Sequence, residues 1–182
     1  LRLVQYTDAA GARAVAAKDG DAPYRVVLGV KTTYDLAQEA IASGTGLAAV
    51  VAKKGFGEDV DVSAALAEGR LLAPLDHADP AHAYVTGTGL THLGSAEGRD
   101  AMHKKLEAAV ETLTDSMRMF KLGLEGGKPG PGEEGVQPEW FYKCDGSSVV
   151  APEAPLPSPS FAQDGGEEPE IAGLYVIGPD GQ

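Results

Sequence analysis

Basic residues are scarce in this chain of 182 residues. Lysine and arginine together number 15 against 27 aspartates and glutamates, which gives a formal net charge of -12 and a pI near 4.6. A surface that binds nucleic acid needs clustered basic side chains, because the phosphate backbone is uniformly negative. The composition therefore predicts no nucleic-acid partner.

Cysteine and long apolar runs are also lacking. Cys144 is the one cysteine, so an internal disulfide framework is excluded. No histidine base neighbours it in the sequence, so a structural thiol is favoured over a nucleophile. No stretch approaches the roughly 20 apolar residues of a membrane span. Residues 1–6 lack the charged and then apolar pattern of a signal peptide. We expect a cytoplasmic protein without membrane contact.

Hydrophobic residues make up 43% of the chain, enough to bury one good core or two small ones. Residues 1–75 form the first predicted domain, a small α/β domain that opens with a hairpin. Its predicted elements are strands over residues 3–6, 13–17 and 25–30 and helices over 34–42, 46–54 and 61–66. Thr33 is the predicted cap of the first helix, and Asp61 opens the third.

Residues 76–182 form the second predicted domain. It begins with a short strand at Tyr84 that passes into a glycine-containing loop, and its strongest helix is predicted to begin after Ser95 and to end at Gly126. One stripe of that helix is apolar: Met102, Leu106, Ala109, Leu113, Met117, Phe120 and Leu124. Core packing or a subunit contact in a homodimer is favoured for this stripe over a cofactor pocket.

Residues 140–143 are predicted to form a compact strand. Its alternation places Phe141 and Lys143 on one face and Trp140 and Tyr142 on the other. An exposed loop is predicted over residues 128–135. Residues 151–160 carry four prolines, so this segment is predicted to be extended and poorly suited to the interior of a sheet.

The motif Glu168-Pro169-Glu170 opens the apolar run of residues 171–177, which is predicted to form a strand. In a strand, side chains two positions apart leave the same face, so both carboxylates can converge on one divalent cation. Spacing alone favours an ordinary acidic loop, because a metal site needs further ligands. Leucine in place of an initial methionine, and a turn pattern over residues 178–182, predict a fragment of a longer protein.

Histidines and hydroxyl side chains offer weaker signals. His77 and His82 are predicted to lie in a solvated turn between the domains, because no histidine pair has the spacing of familiar zinc motifs. Thr91 and Ser95 precede the long helix, whose free amides and dipole favour an anion such as a substrate carboxylate. Simple capping by Ser95 remains open beside that interpretation.

Four short motifs follow one another along the chain in a characteristic order. They are Gly89-Leu90-Thr91-His92-Leu93-Gly94-Ser95, Pro138-Glu139-Trp140-Phe141-Tyr142-Lys143, Ser147-Ser148-Val149-Val150 and Glu168-Pro169-Glu170. Together they resemble the fumarylacetoacetate hydrolase superfamily, and most closely its sugar-acid branch of 2-keto-3-deoxy-arabinonate dehydratase-like proteins. The resemblance spans residues 84–177. It implies an α+β protein in which the small domain precedes the first part of a β-rich catalytic roll, truncated at its C-terminus.

The resemblance also implies a metal site. In the family, the two carboxylates of this motif bind Mg²⁺, which implies that role for Glu168 and Glu170, with Mn²⁺ as the alternative ion. The resemblance places a third carboxylate ligand beyond Gln182. Lys143 would hold the substrate or a developing oxyanion.

The segment that would supply the catalytic base differs from the family pattern. Many hydrolytic members carry a histidine base, often with a glutamate, in the segment that corresponds to residues 91–98. Here Ser95 stands at the histidine position, and Glu97 lies one place from the glutamate position. This difference argues against acylpyruvate-type hydrolysis.

We therefore expect a Mg²⁺-dependent enzyme that acts on a small 2-keto acid. The favoured reaction is dehydration of a 2-keto-3-deoxy sugar acid, with Lys143, Ser95 and Glu97 as catalytic residues and Thr91, Ser95 and Lys143 as substrate-binding residues. One alternative is a C–C bond hydrolase of the acylpyruvate or fumarylacetoacetate type. The other is a non-catalytic interaction domain that uses the methionine-containing helix. The chain alone is expected to be inactive.

Overall fold

The computed structural model describes residues 1–88, 114–136, 140–163, 165 and 170–181. Unit one comprises Leu1–Ala83 and Asp145–Gln182, and unit two comprises Tyr84–Cys144. The predicted division at residue 75 stays a prediction. The described elements are strands β1 (Arg2–Thr7), β2 (Arg13–Lys18), β3 (Arg25–Val27), β4 (Phe56–Asp59), β5 (Tyr84–Thr88) and β6 (Trp140–Asp145), and helices α1 (Thr33–Ser43), α2 (Leu47–Lys54), α3 (Val62–Ala67) and α4 (Asp115–Gly126).

Helices and antiparallel strands occur together, so the described residues belong to the α+β class that the sequence predicts. Short 3₁₀ turns over Pro80–His82 and Gly146–Ser148 complete the described elements. Among the described helices, none combines the length and the apolar content that crossing a bilayer requires.

Strands β1 to β4 form one sheet in which each strand pairs with the next along the chain. β1 and β2 pair antiparallel over their whole lengths, which confirms the predicted hairpin. Asp8 fixes the turn between them, because its Oδ1 accepts the amides of Ala10 and Ala12 at 2.9 and 2.8 Å. The strand predicted over residues 25–30 is shorter than expected and ends at Val27.

The alternation of side chains along β1 and β2 creates a core on each face of the sheet. Val15 and Ala17 of β2 face α1 and α2, whereas Ala16 between them packs with a core that includes α3. The buried residues of the first core are Val15, Ala17, Val27, Val30, Leu36, Ala40, Val50 and Val51. Those of the second are Tyr6, Ala16, Ala65 and Leu71.

The helix ends of unit one follow short polar and glycine signals. Asp61 caps α3 by accepting a backbone amide at 2.9 Å, and α2 ends at Gly55, so both predictions are confirmed. The predicted cap of α1 at Thr33 is wrong. Thr32 is the cap, because its Oγ1 accepts the amide of Asp35 at 2.9 Å. The Thr33 hydroxyl instead donates to the Pro74 carbonyl at 2.7 Å.

Strand β4 is an element that the sequence pattern does not predict. Glycine and acidic residues are depleted in strands, and Phe56–Asp59 contains both. Tertiary contacts hold it in place: the Arg25 guanidinium lies 4.3 Å from the centre of the Phe56 ring. A β-carbon at Gly57 would stand 3.2 Å from Leu28 Cδ2, so glycine permits the close approach.

Residues 70–72 cover the outer edge of β1. The amide of Thr7 donates to the Arg70 carbonyl at 2.8 Å, and the amide of Leu72 donates to the Gln5 carbonyl at 2.9 Å. A bare strand edge would leave such donors and acceptors open to another chain. The segment therefore closes the sheet on this side and carries the chain on to residues 73–76.

Gln5 is the one buried polar side chain in the described residues, with 1% of its surface exposed. Its amide nitrogen donates to the Ala73 carbonyl and, at 3.1 Å, to Asp76 Oδ1, while its Oε1 accepts the Thr33 amide at 2.7 Å. Arg13 Nη2 lies 2.7 and 2.9 Å from the two carboxylate oxygens of Asp76. One amide therefore ties both the start of α1 and residues 73–76 to the sheet.

Unit two contains β5 and β6, which pair as a two-stranded sheet, and helix α4. The predicted glycine stop is confirmed, because α4 ends at Gly126 and the Gly127 amide donates to the Gly123 carbonyl at 2.9 Å. Residues 128–135 are exposed, as predicted. The predicted Ser95 cap lies outside the described residues.

The C-terminal part of unit one departs from the prediction at one element. Residues 151–160 contain no helix or strand, as expected from their prolines. The strand predicted over residues 171–177 is wrong: these described residues form no strand, and Ile171 is fully exposed. An apolar run produces a strand only where a neighbouring backbone supplies hydrogen bonds. The turn predicted after it is present, with the Gly181 amide donating to the Gly178 carbonyl at 3.0 Å.

Replacing Gln5 by leucine should lower the free energy of unfolding by about 2–3 kcal/mol, because the partly buried Thr33 amide and the buried Ala73 carbonyl lose their partner. Urea denaturation followed by circular dichroism measures the change. Gln163→Leu is the matched control, since Gln163 is exposed and its replacement should change stability by less than about 0.5 kcal/mol. Equal stability of Gln5→Leu and the wild-type chain would contradict the assigned role.

Candidate functional site

β6 places Phe141 and Lys143 on one face, over Gly87 of β5. A β-carbon at Gly87 would stand 2.5 Å from Phe141 Cζ and 2.9 Å from Lys143 Cε, closer than such atoms approach in folded proteins. Lys143 Nζ lies 5.9 Å from the centre of the Phe141 ring, within the reach of a cation–π interaction. The predicted sharing of one face by Phe141 and Lys143 is confirmed.

The other face of β6 carries tyrosine contacts. Tyr142 meets Tyr84 of β5 edge to face, with ring centres 6.2 Å apart at an interplanar angle of 71°. Aromatic pairs prefer this arrangement because the positive ring edge meets the negative ring face. Trp140, at the start of the strand, is exposed. One face of the two-stranded sheet therefore carries the tyrosine pair, and the other carries Phe141 with Lys143.

Lys143 is exposed and lies close to the end of β5. Its Cε lies 2.9 Å from the position that a β-carbon at Gly87 would take, and β5 ends at Thr88, one residue before the predicted substrate segment 89–95. That segment lies outside the described residues, and so do its predicted side chains Thr91 and Ser95. The lysine therefore stands at the point where the chain enters the segment.

The predicted metal ligands are only partly described. Glu170 belongs to unit one, is exposed, and has no strand conformation, so the predicted strand does not include it. Glu168 and Glu97 lie outside the described residues. Within the residues that the structure describes, no three histidine, cysteine or acidic side chains are grouped so that they could hold an ion.

Asp145, two residues after Lys143, caps the short turn over Gly146–Ser148. Its Oδ1 accepts both the hydroxyl of Ser147 and, at 2.9 Å, the amide of Ser147. Because the ionised carboxylate is the better acceptor, the hydroxyl bond, with a further part from the amide, holds the pKa of Asp145 below its usual value. Ser147 and Ser148 belong to one of the motifs on which the family resemblance rests. In the structure, Ser147 orders a turn.

The turn over residues 77–82 brings two histidines together, which sequence reasoning missed. The ring centres of His77 and His82 lie 5.1 Å apart, with His77 half-buried and His82 exposed. Residues five positions apart do not share a face in a helix or in a strand, so the periodicity of the sequence does not reveal that His77 and His82 lie close together. The Asp79-Pro80 dipeptide, a turn signal, is the feature that could have found it.

Comparison with known proteins identifies no family for this chain. No family model matches the chain, and neither a curated protein nor a solved structure matches it. Its function has to be inferred from its own residues.

Replacing Gly87 by alanine should lower the free energy of unfolding by about 1–3 kcal/mol, because the added β-carbon displaces the Phe141 ring and the Lys143 stem. Thermal or urea denaturation measures the change. Gly165→Ala is the control, since nothing stands within 4 Å of a β-carbon there. Adding Phe141→Ala to the variant should recover part of the loss, and a fully stable Gly87→Ala would refute the packing.

Replacing Ser147 by alanine should raise the pKa of Asp145 toward its usual value, because the hydroxyl donor is lost while the amide remains. Carboxyl-carbon NMR titration measures the shift, with exposed Ser148→Ala as the control. A lowered carboxyl pKa adds stability above the unfolded-state pKa, and that stability is lost as the pH falls through the native value. The wild type and Ser147→Ala should therefore converge in stability at low pH, and an unchanged pKa would contradict the assignment.

Proposed function

We propose that this protein is a Mg²⁺-dependent hydro-lyase that removes water from a 2-keto-3-deoxy sugar acid such as 2-keto-3-deoxy-arabinonate. The observation that carries the proposal is the contact of Lys143 and Phe141 with Gly87, two residues before segment 89–95. The resemblance implies that both motifs line one site, and this contact supports their proximity. The proposed scaffold is a fumarylacetoacetate hydrolase-like roll.

Lys143 suits a substrate that carries a carboxylate and a keto group. Dehydration removes a proton from C3, and the electron pair of that bond moves toward the keto oxygen. As the keto group re-forms, that electron pair makes a C3–C4 double bond, and the hydroxyl on C4 leaves with a proton as water. A fixed cation beside the oxygen where negative charge develops lowers the barrier, because it needs no reorganisation during the reaction. The exposed ammonium of Lys143 is available for that role.

Glu170 fits the proposed metal ligand in its chemistry. It is exposed and has no salt-bridge partner among the described residues, and carboxylate oxygens are the ligands that Mg²⁺ prefers. Glu168, two positions earlier, is the proposed second ligand. When bound, Mg²⁺ supplies positive charge that polarises a keto oxygen. Mn²⁺ prefers the same oxygen ligands and is the alternative ion.

The remaining roles belong to the segment that precedes the long predicted helix. Thr91 and Ser95 are proposed to hold the substrate carboxylate, because free amides at a helix start favour an anion. Glu97 is the proposed catalytic carboxylate beside Ser95. The serine at position 95 favours dehydration over C–C bond hydrolysis, since the hydrolytic members of the resembled family place a histidine base there. We propose a homodimer in the cytoplasm as the working form.

Turnover decides between the two reactions. The protein as its gene encodes it, with Mg²⁺ present, should convert 2-keto-3-deoxy-arabinonate to a product with one water less, as mass spectrometry measures. Turnover of acylpyruvates alone would reject dehydration and favour hydrolysis. Failure to bind Mg²⁺ or to turn over either class would favour the non-catalytic interaction domain.

Single substitutions test the roles of Lys143 and Glu170. Lys143→Met should lower kcat by about 10²–10³-fold, the range seen when one stabilising group of an oxyanion is removed. Glu170→Ala should weaken Mg²⁺ binding in calorimetry and lower activity with it. Lys128→Met is the matched control, because Lys128 lies in the exposed loop of the same unit and its loss should leave kcat unchanged. Unchanged kcat in Lys143→Met would remove lysine from the mechanism.

A further inference from the structure

Asp79 holds the imidazoles of both His77 and His82 by the same ring nitrogen. His77 Nδ1 accepts the Asp79 amide at 3.0 Å and also lies 2.9 Å from the Asp79 carbonyl oxygen. His82 Nδ1 lies 3.0 Å from Asp79 Oδ2. Because Nδ1 of each ring is engaged with Asp79, Nε2 is the nitrogen that each ring keeps for another ligand.

This arrangement is the one that supports histidine ligands in metalloproteins. A metal-bound imidazole almost always donates its other N–H to a carboxylate or a backbone carbonyl, which fixes the tautomer and the ring orientation. His82 has the carboxylate. His77 Nδ1 accepts the Asp79 amide in the free protein, and the Asp79 carbonyl 2.9 Å away can accept its proton when an ion occupies Nε2. Both partners come from the single residue Asp79, so the two rings are oriented together.

The distance between the rings also fits a shared ion. Two imidazoles bound near-tetrahedrally through nitrogens about 2.0–2.1 Å from one ion have ring centres about 5 Å apart. The ring centres of His77 and His82 are 5.1 Å apart, with the planes inclined at 38°. The separation of the two rings therefore matches that of two imidazoles on one ion.

The surroundings restrain the turn while leaving it open to solvent. Tyr34 of α1 packs edge to face on His77, with ring centres 5.0 Å apart. A β-carbon at Gly146 would stand 2.9 Å from Ala83 Cβ, so the 146–148 turn packs closely against the end of the histidine turn. The side chain of His82 is nevertheless 69% exposed, which leaves a path for an ion.

We propose that His77 and His82 bind one divalent transition-metal ion through their Nε2 atoms, with Asp79 as the positioning residue and water completing the coordination. Imidazole suits Zn²⁺, Ni²⁺ and Cu²⁺, whereas Mg²⁺ prefers oxygen ligands. Two protein ligands without a third predict weaker binding than a four-ligand structural site gives. The site is independent of the proposed hydro-lyase activity, because it uses none of the residues proposed for that reaction.

Calorimetry of the untagged chain with Zn²⁺, in a buffer that does not chelate metals, tests the proposal. One ion per chain should bind, and His82→Ala and His77→Ala should each weaken binding at least tenfold. His82 is exposed, so its replacement should leave the fold intact, as circular dichroism checks. His103→Ala is the matched control and should bind as the wild type does. Wild-type affinity in both His77→Ala and His82→Ala would overturn the site.

Two further measurements separate ligation from a structural effect. Electron paramagnetic resonance of the Cu²⁺ adduct should show two nitrogen ligands in the wild type and one in His82→Ala. Asp79→Ala should weaken Zn²⁺ binding by about 10–100-fold, the usual effect of losing an outer partner of a ligand. Asp79→Asn should restore most of it, because the amide oxygen still accepts from His82. Full Zn²⁺ affinity in Asp79→Ala, or displacement of Zn²⁺ by millimolar Mg²⁺, would contradict the proposed geometry.

Discussion

The hydrogen bonds of Gln5 are the constraint on which the arrangement of unit one depends. A neutral amide can be buried only if its donor and its acceptor both find partners, since an unpaired polar group costs about 1–3 kcal/mol. Gln5 meets this condition with the Thr33 amide on one side and with Ala73 and Asp76 on the other. Thr33 and Asp76 immediately precede Tyr34 and His77, which pack against each other, so one buried amide fixes the helix start and the histidine turn together.

Unit two depends on a different constraint, the lack of a side chain at Gly87. Because nothing projects from β5 there, the Phe141 ring and the Lys143 stem of β6 can lie directly on its backbone. The lysine is consequently directed by packing and not by an ion pair within the described residues. A cation positioned in this way keeps its charge available for a ligand, which is what the proposed reaction requires of Lys143.

Local chemistry explains which elements could be predicted. The β1–β2 hairpin follows from alternation around a turn that Asp8 caps, and α3 follows from the side-chain cap of Asp61. Residues 171–177 are an equally clear apolar run but form no strand, because the run does not contain the partner backbone. Of the candidate site, the common face of Phe141 and Lys143 was predictable from a period of two, while the contact with Gly87 was not.

The sequence by itself determined the α+β class, the hairpin, the ends of α2 and α3, and the face on which Lys143 stands, because each depends on residues close together in the chain. Tertiary structure alone decided that Phe56–Asp59 is a strand and that Thr32 rather than Thr33 caps α1. It also decided that His77 and His82 share the contacts of Asp79. The physical reason is that these outcomes depend on partners brought from distant positions or on the exact path of a turn, which periodicity and propensity do not encode.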